Sequence, residues 1–125
     1  MIEPLEDLPA GVVGFRAIGT IEASDYREVL DPAFEAVLAD HEQLNLVIVL
    51  GEQFDHLSLG AMLEDARLIT FPHEVWGRAA FVTNHEMLGG IARTFGGLVP
   101  GDFRVFPLDR QDEAIAWVAE AVRAP

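Results

Sequence analysis

The side chains able to do chemistry in this chain are few, and most stand far apart. There are two serines, Ser24 and Ser58, and no cysteine or lysine. The tightest grouping is Asp55-His56-Leu57-Ser58, which puts a carboxylate, an imidazole and a hydroxyl within four residues. On paper, Ser58, His85 and Asp55 supply the three types of a hydrolase triad. The Gly-x-Ser-x-Gly elbow is missing, however, and adjacency along the chain does not align a relay. Ser58 reads more simply as a helix N-cap, whose oxygen accepts an amide hydrogen of the first turn. The same position suits a phosphoacceptor, because helix donors and the dipole stabilise added negative charge.

Other chemistries find even less. His41, His56, His73 and His85 are dispersed, with no His-x-x-x-His pair and no thiolate, so no metal site is expected. The absence of lysine removes Schiff-base chemistry, a pyridoxal-phosphate anchor and the P-loop lysine. Gly89-Gly90 and Gly96-Gly97 lack dinucleotide spacing and read as residues that loosen and end a helix. The expectation is a non-catalytic chain that needs no cofactor.

The hydropathy pattern outlines the elements that must position these groups. A length of 125 residues fits one domain spanning 1–125. Residues 11–21 are strand-like, and residues 2–8 are placed to pair with them antiparallel through Pro9-Ala10-Gly11. Residues 24–40 have helical spacing (Tyr26, Val29, Leu30, Ala33, Val37, Leu38), with a cap at Ser24 or near Glu22 and a break at Pro32. Residues 44–50 read as a strand buried on both faces, followed by a polar loop over 51–56. A helix over 57–71 would bury Leu59, Met62, Leu63, Ala66 and Ile69 or Thr70. Next come a strand at 78–83, a helix at 85–95 and a strand at 102–108. A closing helix capped by Asp109 buries Ala114, Ile115, Val118, Ala121 and Val122. The fold class is therefore α/β, a mixed, mostly parallel sheet flanked by helices.

That layout suggests two surfaces. Ligands of open α/β sheets sit beyond the carboxyl ends of strands, which selects Glu52, Asp55 and His56 from one loop and Thr83, Asn84 and His85 from another. Phe54, Leu57, Leu59, Met62, Phe71 and Trp76 form a surplus of large apolar side chains around one helix, suited to a homodimer interface. The net charge of −13 repels phosphate backbones and anionic membrane faces, so neither nucleic acid nor a membrane is an expected partner. No apolar run approaches the roughly 18 residues a membrane span needs. The acidic, proline-broken start lacks a secretory pattern, and with cysteine absent the expected location is the cytoplasm.

Four stretches resemble one family. They are Gly19-Thr20-Ile21 through Asp25-Tyr26, the strand Leu44 to Leu50 followed by Phe54, Ser58-Leu59-Gly60-Ala61 leading to Glu64-Asp65, and Phe106-Pro107-Leu108-Asp109 through Glu113 to Trp117. Together they look like the SpoIIAA-like proteins, small bacterial relatives of the STAS (sulphate transporter and anti-sigma factor antagonist) fold. The resemblance implies a small mixed sheet flanked by helices and a regulatory role through protein contacts. Anti-sigma antagonists carry a phosphorylatable serine at a helix start, preceded by aspartate and followed by glycine. Here Asp55-His56-Leu57-Ser58-Leu59-Gly60 is a stretched version of that pattern. The fold also resembles lipid-carrier domains, which keeps a carrier or sensor of a small apolar ligand or lipid as the alternative reading.

Overall fold

The computed structural model describes residues 1–68, 75–84 and 102–123. The expected helix at 85–95, and with it His85 and Phe71, lies outside them. Five strands form one sheet in the order β1-β2-β3-β4-β5: β1 (Ile2–Pro4), β2 (Val12–Ile21), β3 (Leu44–Leu57), β4 (Trp76–Thr83) and β5 (Asp102–Phe106). β1 runs antiparallel to β2 and every later pairing is parallel. The hairpin, the mixed sheet and its flanking helices follow the pattern read from the sequence.

Both faces of the sheet are covered, and strand alternation sorts the side chains between them. On one face, Phe15, Leu44, Leu46 and Ala79 pack with Tyr26, Leu30 and Phe34. That layer is built by α1 (Ala23–Asp25), a π-helical turn (Tyr26–Leu30), α2 (Asp31–Asp40) and α3 (Leu59–Leu68). Phe34, 2% exposed, meets the Phe15 and Trp76 rings edge-on, with centroids 6.2 and 6.5 Å away. On the other face, Val12, Val47, Val49, Ala80 and Val82 pack against Ala114, Val118 and Ala119 of α4 (Gln111–Arg123).

The first helical segment begins at Glu22, whose N–H donates to the Asp25 carboxylate at 2.8 Å. The expected break at Pro32 is present in another form. The wide π turn precedes it, so Pro32 falls in the first turn of α2, where no intrahelical donor is required. At the far end, a 3₁₀ turn (Leu108–Arg110) contains Asp109, and α4 starts after it rather than at an Asp109 cap.

The loop expected over 51–56 is strand. β3 bulges after Leu50 and resumes pairing with β2 at Gly19↔Phe54, Thr20↔His56 and Ile21↔Leu57. The end of the ten-residue β2 thereby keeps a partner, and Phe54 reaches the core while Glu52, Asp55 and His56 stay exposed. Scattered polar residues resembled a loop because the bulge breaks their alternation.

A second irregularity sets the parity of β4. Leu44 pairs with Trp76 and Leu46 with Ala79, so β4 carries one extra residue there. The Arg78 N–H, turned out of the ladder, donates to Oδ1 of the buried Asn45 at 3.0 Å. A Cβ at Gly77 would overlap that same side-chain oxygen. Gly77→Ala is therefore expected to cost about 1–3 kcal/mol, and Asn45→Ala a similar amount by orphaning the Arg78 donor. Because the alanine at 77 clashes with Asn45 itself, its penalty should largely vanish in the Asn45→Ala background. Urea unfolding of the two single variants and the double variant measures the coupling, and simple additivity would contradict this account.

Candidate binding face on α3

α3 is set in place by small residues and by its cap. The Ser58 N–H donates to the Ile21 carbonyl at 2.8 Å, which ties the helix start to the end of β2. Ser58 Oγ accepts the Ala61 N–H at 3.1 Å, as an N-cap does. Ala61 is fully buried, and a Cβ at Gly60 would lie 3.2 Å from that of Ala23. The helix thus approaches α1 along its smallest side chains.

That seating turns the large side chains outward. Leu59 is 76% exposed, Met62 52% and Leu63 68%. These are positions i, i+3 and i+4 and form one stripe on the helix surface. Helical spacing places all three inward, while the interface expectation includes Leu59 and Met62; the structure buries Ala61 instead, because only a small residue fits so close to the sheet and α1. The six side chains expected at an interface are accordingly divided. Five of them lie among the described residues: Phe54 and Trp76 belong to the core, Leu57 is half-buried, and Leu59 and Met62 are on the surface, where Leu63, outside the expected set, joins them; Phe71 lies outside the described residues. The adjacent small residues Gly60-Ala61 were the signal for this orientation.

Ion pairs hold the other end. Arg67 reaches Asp31 with Nη2 to Oδ2 at 2.7 Å and Glu64 with Nε to Oε2 at 3.1 Å. The field of Asp31, with help from Glu64, raises the Arg67 pKa above its ordinary value. The guanidinium bridges α3 to the start of α2.

The described residues expected at the two ligand loops have different partners. Asp55 Oδ2 and His56 Nδ1 are 3.3 Å apart on the exposed side of β3, and His56 is registered with Thr20 of β2. Thr83 is buried opposite Leu50, and Asn84 Oδ1 accepts the Leu108 N–H at 3.0 Å, on the side of the sheet toward β5. Among the described residues no three histidine, aspartate or glutamate side chains gather as a metal site requires. No helix among them is long and apolar enough to cross a membrane. A groove of about 370 Å³ lies on the opposite face of the sheet, between the hairpin and α4. Leu5, Leu8 and Ile115 line it together with Glu3, Glu6 and Arg16.

The strand order, the hairpin start and the helix that follows Ser58 can be compared with known proteins. No curated protein matches the sequence. The crystal structure of an uncharacterised protein with a SpoIIAA-like fold from Shewanella loihica PV-4 superposes with a TM-score of 0.75 at 23% identity. The match covers 94% of this chain and 92% of that one, and it shows a shared fold. The SpoIIAA-like family model matches residues 12–119, from the first residue of β2 into α4. A match over that span settles the affiliation: this chain belongs to the SpoIIAA-like family.

Proposed function

We propose that this chain is a non-catalytic regulatory module that works through protein contacts on the outer face of α3. One observation carries the reading. Leu59, Met62 and Leu63 stand together in water, and the remaining exposed large apolar side chain among the described residues is Met1. Contiguous apolar surface of this kind marks an interaction site more often than it marks chance. The engagement of Ser58 Oγ with the Ala61 N–H supports a capping role over a nucleophilic one. The charged rim of the groove beside α4 gives an apolar ligand a poor reception.

The magnitude of the contact constrains its use. Burying the three side chains would contribute about 1.5–3 kcal/mol each. Association costs about 4–15 kcal/mol in lost freedom. The apolar stripe alone therefore gives weak binding, and a stable complex needs a further contribution from the surrounding charges.

Ser58→Ala should destabilise by about 1 kcal/mol in urea, and Ser58→Asp should restore most of it, since either acceptor caps the helix. A benzoylphenylalanine crosslinker placed at Leu63 and activated in host cells should give discrete adducts, while the same group at exposed Ala116 of α4 should not. An adduct at twice 13.7 kDa identifies a homodimer, and any other discrete mass a heterologous partner. Leu59→Ser with Leu63→Ser should abolish partner binding yet shift stability by only about 0.5 kcal/mol, as surface changes do. Absence of any adduct at Leu63 would refute the proposed contact face.

A further inference from the structure

The charges around the apolar stripe of α3 point to what covers it. Residues 22–31 and 55–68 make up α3, its lead-in and the helical turns beside it, and they hold seven carboxylates against two arginines. These segments are in contact: Ala23 lies against Gly60, and α1 and the π turn both pack on α3. Of the two cations, Arg67 is already bonded to Asp31 and Glu64. Glu22, Glu28 and Asp55 are exposed to solvent. A second copy docked on this face would bring the same surplus of acid against itself, and like charges across an interface oppose association.

Resting on the reading of α3 as a contact face, we infer that its occupant is an amphipathic, cationic segment of another protein. Apolar side chains at helical spacing on the partner seat on Leu59, Met62 and Leu63, while lysine or arginine on its flanks faces Glu22, Glu28 and Asp55. The apolar stripe supplies the docking surface. The carboxylate frame supplies the missing affinity and rejects acidic competitors.

Fluorescence anisotropy tests this with two short labelled peptides that share one leucine face and carry either lysine or glutamate elsewhere. The lysine peptide should bind at least about ten-fold more tightly than the glutamate peptide, and should weaken about ten-fold between about 50 and about 300 mM salt. Leu59→Ser with Leu63→Ser should abolish its binding. Glu28→Gln with Asp55→Asn should raise its Kd about three- to ten-fold, whereas Asp112→Asn with Glu113→Gln on α4 should leave it unchanged. That contrast separates docking on α3 from general attraction to an acidic protein. Equal binding of both peptides, or lysine-peptide binding that survives the serine substitutions, would overturn the inference. If that result came with a Leu63 adduct at twice the chain mass, the occupant would be a second copy and the contact face would stand. Absence of both peptide binding and adducts would remove the two together.

Discussion

Burial of the central sheet on both faces is the constraint from which the rest of the architecture follows. A strand covered on one side tolerates an error of register poorly; one covered on both sides must also match two different helical layers. β3 meets this demand with Leu44 and Leu46 toward the aromatic layer and Val47 and Val49 toward α4. β4 meets it only through the extra residue near Gly77, which lets Trp76 and Ala79 share one face while Ala80 and Val82 share the other. Asn45 is the device that makes the irregularity tolerable, because it gives the displaced Arg78 N–H an acceptor inside the protein. The same displacement lets Arg78 reach α4, where it donates to the Trp117 carbonyl at 2.7 Å and to Glu120 at 3.0 Å. One buried amide thus adjusts the contacts of both layers.

The position of α3 follows from how little room the aromatic layer leaves. Phe15, Phe34, Tyr26 and Trp76 already fill that side of the sheet. A helix arriving beside them at the end of β3 presents only Gly60 and Ala61 inward. Its leucines and methionine are displaced to the surface by competition for space, not by a lack of apolar character. An apolar face that cannot be used for folding remains available for binding.

Much of the fold was legible in the sequence. The continuous apolar run at 44–50 could be little else than a doubly covered strand, and the stripe of Ala114, Val118 and their neighbours marked α4 directly. The SpoIIAA-like pattern agreed with both. What escaped were features set by tertiary competition. The stretch 51–57 has no clean period because its bulges shift the alternation, so its strand character emerges only once β2 lies alongside. In 59–63, helical spacing identified a stripe correctly but could not say whether Leu59-Met62-Leu63 or the smaller Ala61 would face inward; that depends on Ala23, far away in sequence. Phe54 and Trp76 read as surplus for the same reason, since the cavity they fill exists only after α2 has docked.

The distribution of charge bears on the proposed contact face. Arg67 bridges Asp31 and Glu64, Arg78 reaches Glu120, and Arg110 pairs with Glu113. Arg78 and Arg104 also lie over the Trp117 ring, 4.8 and 5.1 Å from its centroid. In Arg67 and Arg78 the cations fasten α3 and α4 to their neighbours, while exposed carboxylates such as Glu22, Glu28 and Asp55 face solvent. These arginines are thus compensated locally, and the chain as a whole, with net charge −13, remains strongly acidic. Solubility alone would be served by acids spread over any surface. Among the described residues α3 is the helix that leaves large apolar side chains exposed, and the exposed Glu22 and Glu28 belong to the helical turns packed against it, a pairing that under the proposed reading would suit selection of a partner by both shape and sign.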